Sequence, residues 1–134
     1  MRGPDDEAAV TALGHHLLVE FEGCDPASLA DLDQVTSAML RAAEASGATI
    51  VTHSFHHFSP HGVSGAVIIA ESHLAIHTWP EHGFAAVDFF SCGGVDMDLG
   101  VAVLKRAFSA TSETRLELER GPLRAVKVPS ERHV

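Results

Sequence analysis

Hydrophobic positions in this chain follow two patterns. Six short runs mix apolar and polar residues and are rich in Val, Ile, Phe or Thr, which is typical of half-buried β-strands. Tight turns containing Gly, Pro or Ser separate several of these runs, so four consecutive strands are predicted to form an antiparallel meander. The predicted strands span residues 14–23, 48–58, 62–70, 72–80, 84–92 and 112–121.

Two longer segments repeat apolar residues every three or four positions, which places those residues on one face of a helix. The first predicted helix spans residues 24–47, where Asp25 can cap the N-terminus, Pro26 suits the first helical position and Gly47 can end the helix. The second spans residues 98–110. The predicted buried stripes are Leu29, Leu32, Val35, Met39 and Ala43 on the first helix, and Val101, Leu104 and Phe108 on the second.

The order β-α-β-β-β-β-α-β predicts an α+β fold, a two-layer sandwich in which an antiparallel sheet carries both helices on one face. The other face then carries apolar residues, represented by Ile68 or by Val67 and Ile69, with nothing to cover them. Because such a face is unfavourable in water, we expect two copies to stack sheet against sheet as a four-layer αββα homodimer. The segment after Pro122 is basic and is expected to be loosely held.

Composition indicates one small globular domain, residues 1–134, in which 46% of residues are hydrophobic and 20% are charged. The formal net charge of -9 argues against a nucleic-acid partner, whose phosphates would be repelled. No apolar run approaches the roughly 18 residues of a membrane span, and the N-terminus lacks a signal-peptide pattern. We therefore expect a cytoplasmic protein with no membrane partner, in which Cys24 and Cys92 are free thiols.

Reactive side chains are concentrated between Ser64 and Cys92. Ser72 directly follows Glu71 at a strand junction, where a hydroxyl adjoins a backbone carbonyl, and His77 comes five residues later. If the meander gathers these residues at one end of the sheet, they supply a nucleophile, a proton carrier and a thiol acid. Taken singly, the serines are more typical of a strand surface and the cysteine of a packed core. Spacing alone leaves both interpretations open.

Four histidines also lie close together in the sequence, namely His53, His56, His57 and His61. Alternation along a strand places His53 and His57 on one face and His56 on the other, so only a pair converges easily. A zinc site needs at least three protein ligands. We therefore expect no metal site in this cluster.

The most specific string in the chain is ESH-x-x-IHTWPE-x-G, followed by AAVD and a Cys-Gly pair. It lies within FSPHGVSGAVIIAESHLAIHTWPEHGFAAVDFFSCGG, and similarity extends back through ASGATIV and GHHLLVEFEGCD, covering residues 14–93. With these residues the chain resembles the prokaryotic S-adenosylmethionine decarboxylase proenzyme family. The resemblance implies a pyruvoyl-dependent carboxy-lyase that makes decarboxylated S-adenosylmethionine, the aminopropyl donor of polyamine (spermidine) biosynthesis.

The resemblance further implies that the chain makes its own covalent cofactor, a pyruvoyl group. In the family the serine of this motif attacks the preceding carbonyl, and the resulting ester is eliminated to leave a pyruvoyl group at the new N-terminus. Here Ser72 would attack Glu71, so that residues 1–71 become the beta chain and residues 72–134 the alpha chain. The ketone at position 72 would form a Schiff base with the substrate amine and accept the electrons left as carbon dioxide departs.

Roles for three neighbouring residues follow from the same resemblance. Ser64 and His77 match family positions that assist the self-cleavage, with His77 as the proton acceptor. Cys92 matches the thiol that donates a proton to the substrate carbon after decarboxylation.

The resemblance also implies substrate-binding roles for Phe58, Trp79 and Glu81. An aromatic ring suits both the flat adenine and a sulfonium cation, and a carboxylate can bond ribose hydroxyls. By pattern alone, Phe58 and Trp79 are equally typical of core rings. Family members pair sheet to sheet, which implies a homodimer of cleaved protomers, or a higher assembly, in which Phe58 of one copy reaches position 72 of the other.

Departures from the family pattern leave the substrate open. The chain has His15 where the family usually has arginine, His57 where a basic residue is common, and GGVDMDLGVAVL in place of a Cys-Gly-Asp-Pro-Trp-Lys continuation. Relatives decarboxylate ornithine or arginine with the same machinery, and a non-catalytic homologue that dimerises is a third hypothesis. The joint presence of the four candidate catalytic residues, Ser64, Ser72, His77 and Cys92, counts against the third hypothesis. It does not separate S-adenosylmethionine from ornithine or arginine as the substrate.

Overall fold

The computed structural model of the protein describes residues 12–127, which form one antiparallel sheet and three α-helices. In chain order the elements are β1 Gly14–Glu22, α1 Pro26–Ala30, α2 Leu32–Ala45, β2 Thr49–His57, β3 Val63–Ala70, β4 Ser72–Trp79, a 3-10 turn Pro80–His82, β5 Phe84–Ser91, α3 Met97–Ala107, β6 Ser112–Arg120 and β7 Arg124–Lys127. The strands lie in the spatial order β2-β3-β4-β5-β1-β6-β7.

The six predicted strands are confirmed, each to within one residue of its predicted bounds. The predicted meander is also confirmed, since β2, β3, β4 and β5 pair in sequence order. The first strand, β1, lies between β5 and β6 and pairs antiparallel with both. This position makes β1 a central strand, with Leu17, Val19 and Phe21 almost fully buried.

The single helix predicted over residues 24–47 is wrong, because the chain breaks at Asp31 into two helices. Asp31 has extended backbone angles (φ -95, ψ 114), and its carboxylate accepts a hydrogen bond from the backbone N–H of Gln34 at 3.0 Å. Such a cap satisfies a donor of the first helical turn, so an aspartate within a helical pattern can start a new helix. The break leaves Leu32 36% exposed, although the other four residues of its predicted stripe are buried.

The predicted ends of the helical region are confirmed. Asp25 caps α1 by accepting a hydrogen bond from the N–H of Ala27 at 3.3 Å, and Pro26 occupies the first helical position. Gly47, with φ +85, ends the region after α2, since glycine adopts this left-handed conformation without a side-chain clash. The predicted stripe of the second helix is also confirmed by α3 and its cap, because Val101, Leu104 and Phe108 are fully buried.

The expectation of a loosely held segment after Pro122 is wrong for its first part, because residues 124–127 form β7 and pair with β6. The turn between them contains Gly121 at φ +72, a conformation that favours glycine. Arg124 also forms an ion pair with Glu119 at 2.7 Å. Without β7, the outer backbone groups of β6 would lack partners, which is the physical reason for the pairing. Residues 128–134 lie outside the described part of the chain.

The helices pack against one face of the sheet, as predicted. One hydrophobic core joins them to the strands, and it includes Val67 and Ile69 of β3. Thr78 of β4 links α1 to the sheet by hydrogen bonds. Its hydroxyl donates to the carbonyl oxygen of Leu29 in α1 at 2.9 Å and accepts from the backbone N–H of Val63 in β3 at 2.8 Å. No helix in the described part of the chain has the length and apolarity that crossing a membrane requires.

The opposite face of the sheet, here called the open face, is not covered by any element of residues 12–127. Ile68 points there and is 42% exposed, so it is this residue of the predicted alternation that faces outward. Leu116 and Leu118 also lie on the open face, because Leu116 is paired with Leu18 while the neighbouring Glu117 is paired with the core residue Leu17. The charged side of β6 instead faces α3. The open face therefore includes apolar side chains on both β3 and β6.

Candidate active site

The junction between β3 and β4 places the predicted nucleophile beside the predicted cleavage site. Glu71 is the single residue between the two strands, and Ser72 is the first residue of β4. The Ser72 hydroxyl donates a hydrogen bond to the carbonyl oxygen of Glu71 and accepts one from the backbone N–H of Cys92 at 3.1 Å. A hydroxyl is thus fixed against the carbonyl of the residue that precedes it.

Cys92, which directly follows β5, lies beside this junction. Its Sγ is 3.8 Å from Ser72 Oγ and 3.4 Å from the Glu71 carbonyl oxygen, to which the thiol donates. The side chain is exposed, whereas Cys24 is buried, and that burial raises the pKa of the Cys24 thiol to about 11. Cys24 is therefore a neutral core residue at physiological pH, and Cys92 is the thiol available for chemistry.

Ser64 and His77 form a second pair. They are direct cross-strand partners on β3 and β4, and Ser64 Oγ lies 2.7 Å from His77 Nδ1. Both side chains lie on the open face. His56 of β2 is the cross-strand partner of Ser64 on its other side, so the three residues form a row across three strands.

Within one chain, the meander does not gather all four residues at one end of the sheet. Ser72 pairs with Ile69 near one end of the β3–β4 hairpin, while His77 pairs with Ser64 near the other. At roughly 3.3 Å per residue, the five-residue separation along β4 puts His77 about 16 Å from Ser72. One chain therefore contains two separate clusters, the Glu71–Ser72–Cys92 junction and the Ser64–His77 pair.

The three predicted substrate-binding residues lie at the Ser64–His77 end of the sheet. Phe58 and Trp79 are 48% and 40% exposed, so the interpretation of these rings as core residues is wrong for this chain. Glu81 is exposed in the 3-10 turn. An open cavity of about 530 Å³ lies beside Trp79, lined by Glu22, Trp79, His82 and Phe84. Cavities of this order of size hold small ligands.

The predicted division of the β2 histidines is confirmed. His53 and His57 pair with the core residues Val67 and Val63, while His56 pairs with Ser64 of the open face. His61 lies outside the strand. These four residues are therefore divided between two faces and a loop.

Sequence reasoning missed a different polar cluster on the open face, formed by His16, His73 and Asp88. Asp88 Oδ2 accepts from His16 Nε2 at 2.7 Å and from His73 Nε2 at 2.8 Å. Their three ligand atoms lie within 4.8 Å of one another, a spacing that could hold a metal ion. However, Arg120 donates to His16 Nδ1 at 2.9 Å, so the ring proton is on Nε2 and that nitrogen has no lone pair for a metal. The arrangement favours a hydrogen-bonded network.

The one sequence signal for this cluster is Asp88 itself, a carboxylate within the apolar strand FAAVDFFS. A charged group in such a strand requires a partner. Its partner His16 is 72 residues away in sequence, so no local spacing reveals the contact.

This chain is similar in both sequence and structure to one family of known proteins. Residues 15–121 match the family model described as S-adenosylmethionine decarboxylase. The S-adenosylmethionine decarboxylase proenzyme of Acidithiobacillus ferrooxidans is 52% identical over 120 residues, covering 89% of this chain and 90% of the relative. The proenzyme of Thermotoga maritima is 47% identical over 121 residues, covering 90% of this chain and 93% of the relative.

Among solved structures, the adenosylmethionine decarboxylase from Aquifex aeolicus VF5 superimposes with a TM-score of 0.76 at 28% sequence identity. That likeness covers 90% of this chain and 98% of the Aquifex chain. The similarity therefore extends over the whole sheet and its helices.

Proposed function

The chain belongs to the S-adenosylmethionine decarboxylase family, and from that premise we propose how its own residues make and use the catalytic group. It is a carboxy-lyase of polyamine biosynthesis that acts on S-adenosylmethionine. We propose that residues 1–134 are one proenzyme domain that cleaves itself into residues 1–71 and 72–134. The observation that carries the proposal is the Ser72 hydroxyl held against the Glu71 carbonyl.

Self-cleavage begins when Ser72 Oγ attacks the carbonyl carbon of Glu71. A C–O bond forms and the C–N bond breaks, which leaves an ester and a free amine at position 72. The backbone N–H of Cys92, 3.1 Å from Ser72 Oγ, supports the approach of the hydroxyl. The Cys92 thiol, 3.4 Å from the Glu71 oxygen, donates to the atom on which negative charge develops. The junction thus supplies both a nucleophile and an oxyanion donor.

The ester is then opened by removal of the α-proton of Ser72, a step that needs a base. His77 can accept this proton at Nε2 when its Nδ1–H donates to Ser64 Oγ, 2.7 Å away. Elimination breaks the Cβ–O bond, releases Glu71 as a carboxylate and leaves dehydroalanine. Hydrolysis of dehydroalanine gives the pyruvoyl group and ammonia.

When formed, the pyruvoyl group supplies a ketone that captures the substrate amine and draws off electrons as carbon dioxide leaves. The residues of the chain bind the substrate and move the proton. Cys92, already beside position 72, donates a proton to the substrate carbon. The exposed rings of Phe58 and Trp79 stack on the adenine and beside the sulfonium cation, and Glu81 accepts hydrogen bonds from the ribose.

The distance between the two clusters supports a site shared by two copies of the chain. Within one chain, His77 lies about 16 Å from Ser72, too far for direct proton transfer. A two-fold axis perpendicular to the strands would stack two open faces and bring the Ser72 end of one copy over the His77 end of the other. Apolar residues of the open face, including Leu18, Ile68 and Leu116, would be buried at about 25 cal/mol per Å² removed from water.

Sharing of the site predicts that two inactive variants rescue each other. The Phe58→Ala and Cys92→Ala proteins should each decarboxylate poorly. In a mixed dimer, one site combines the intact Cys92 of one copy with the intact Phe58 of the other. After subunit exchange at equal amounts, we expect about a quarter of wild-type activity, because half of the dimers carry one intact site. Light scattering at micromolar concentration measures the assembly itself. A stable and active monomer, or mixing without any gain, would contradict the shared site.

Carbon dioxide release tests the activity directly. The wild-type protein should run as two fragments, with the second blocked to N-terminal sequencing, and should release carbon dioxide from carboxyl-labelled S-adenosylmethionine. Ornithine and arginine in parallel assays should yield none. Release of carbon dioxide from ornithine or arginine instead would contradict the assignment of the substrate but not the proposed self-cleavage. Wild-type protein that remains one chain after prolonged incubation would overturn the mechanism.

A further inference from the structure

Four polar side chains on the open face form a hydrogen-bonded network across the sheet. The network includes β4, which begins at Ser72, and β5, which ends just before Cys92. Asp88 of β5 accepts hydrogen bonds from His73 of β4 and His16 of β1 at 2.8 and 2.7 Å. Arg120 of β6 donates to His16 Nδ1 at 2.9 Å. The network therefore spans four strands, and neither the self-cleavage nor the decarboxylation described above uses it.

The ring of Phe90 fills the centre of this network. Phe90 is the cross-strand partner of both His16 and His73, and its ring centroid lies 5.3 and 5.8 Å from theirs. The Arg120 guanidinium carbon lies 5.7 Å from the same centroid. Gly14 leaves room for the ring, since a Cβ there would lie 2.6 Å from Phe90 Cζ. Packing and hydrogen bonds thus fix the same group of strands.

We propose that Asp88, acting through His73, positions Ser72 for self-cleavage. His73 directly follows Ser72, and Phe90 precedes Cys92 by two residues. Strand ends open readily unless side chains hold them, and the network holds the start of β4 against the end of β5. It thereby keeps the Ser72 hydroxyl at the Cys92 N–H that bonds it. Asp88 and His73 are positioning residues, and the inference rests on the proposed function because it concerns the first step of the cleavage.

Two substitutions of Asp88 distinguish the effect of its hydrogen bonds from the effect of its negative charge. Both histidines bond the same carboxylate oxygen, Asp88 Oδ2. An amide oxygen can accept the same two hydrogen bonds, whereas an alanine side chain accepts none. Asp88→Asn therefore preserves the contacts and removes the negative charge, while Asp88→Ala removes both.

The test follows the cleavage of freshly purified full-length protein by intact mass over time. We expect Asp88→Ala to cleave about tenfold to a hundredfold more slowly than wild type, because small misplacements of a nucleophile have effects of this size. Asp88→Asn should cleave at close to the wild-type rate. Glu20→Ala, which removes an exposed carboxylate from the same face, is the matched control and should also behave as wild type.

Hydroxylamine identifies the step that fails, because it cleaves an accumulated ester but leaves the uncleaved peptide bond. Asp88→Ala should stall before the attack and resist hydroxylamine, whereas His77→Ala should stall afterwards and be cleaved by it. If Asp88→Ala does not fold, His73→Ala is the second variant and should show the same slow, hydroxylamine-resistant behaviour.

Three outcomes would overturn the inference while leaving the proposed function intact, provided that the wild-type protein cleaves. In the first, Asp88→Ala and His73→Ala both cleave themselves at the wild-type rate. In the second, Asp88→Asn cleaves as slowly as Asp88→Ala, and in the third, Asp88→Ala accumulates an ester that hydroxylamine cleaves. A wild-type protein that never cleaves would instead be a failure of the proposed function.

Discussion

Replacing Ser72 with alanine is expected to leave the protein as a single chain of 134 residues with no decarboxylase activity. The variant lacks the hydroxyl that is hydrogen-bonded to the Glu71 carbonyl, so neither the ester nor the pyruvoyl group can form. Intact mass and denaturing gels measure the cleavage, and carbon dioxide release measures the activity. Both should be lost completely rather than reduced, since no neighbouring group supplies a substitute for an N-terminal ketone.

The fold of this variant should survive. The substitution removes the acceptor of the Cys92 N–H bond at an exposed position, a loss of about 1 kcal/mol or less. The thermal midpoint should therefore remain close to that of wild type. Ser54→Ala, which removes another exposed strand hydroxyl, is the matched control and should be cleaved normally. Any fragment ending at Glu71 in the Ser72→Ala protein would contradict the assignment of the nucleophile.

Cys92→Ala is expected to separate self-cleavage from decarboxylation. The Cys92 backbone N–H remains on Ser72 Oγ, so cleavage should proceed, though more slowly because the thiol no longer donates to the Glu71 oxygen. Decarboxylation should fall by about a hundredfold or more, the usual cost of removing a positioned general acid. The measurement is carbon dioxide released per mole of cleaved protein, which corrects for the slower processing. If each cleaved chain decarboxylates at the wild-type rate, Cys92 is a packing residue and not the proton donor.

His77→Ala should fail at an earlier stage than Cys92→Ala. Without the imidazole, the ester has no base to remove the α-proton, so uncleaved chain should accumulate together with the ester-linked form that hydroxylamine cleaves. The ratio of cleaved to full-length protein therefore distinguishes the two variants before any substrate is added. Equal processing of both would contradict the assignment of the base.

The strands and helix ends were predictable because their causes are local. Alternation of apolar residues, the cap at Asp25 and the glycine at position 47 act over a few residues, and each was found where the sequence predicts it. The break at Asp31 was missed although its cause is equally local. An aspartate within a helical pattern can be an exposed residue of one continuous helix or the N-cap of a new helix. Packing of the flanking segments decides which of the two forms.

The sequence also provides the candidate reactive residues, but only part of their arrangement. The string around Ser72 and His77 identifies the chemistry, and five residues along one extended strand already separate the two by about 16 Å. Strand pairing decides the rest of the arrangement, because it places Ser64 beside His77 and Cys92 beside Ser72. Register depends on which residues of two strands meet, and that depends on burial of the whole sheet face. The same long-range pairing brings His16 to Asp88 across 72 residues.

The sequence by itself therefore determined the six main strands, the two ends of the first helical region and the candidate residues of the site, because these rest on neighbours in the chain and on a long specific motif. Only the tertiary structure decided three things: which residues join Ser72 and His77 in the two clusters, the pairing of β7 with β6, and the network around Asp88. Each depends on strand pairing, between neighbouring strands for β6 and β7 and between distant segments for the network around Asp88. The free energy of that pairing comes from the burial and backbone hydrogen bonds of the sheet as a whole.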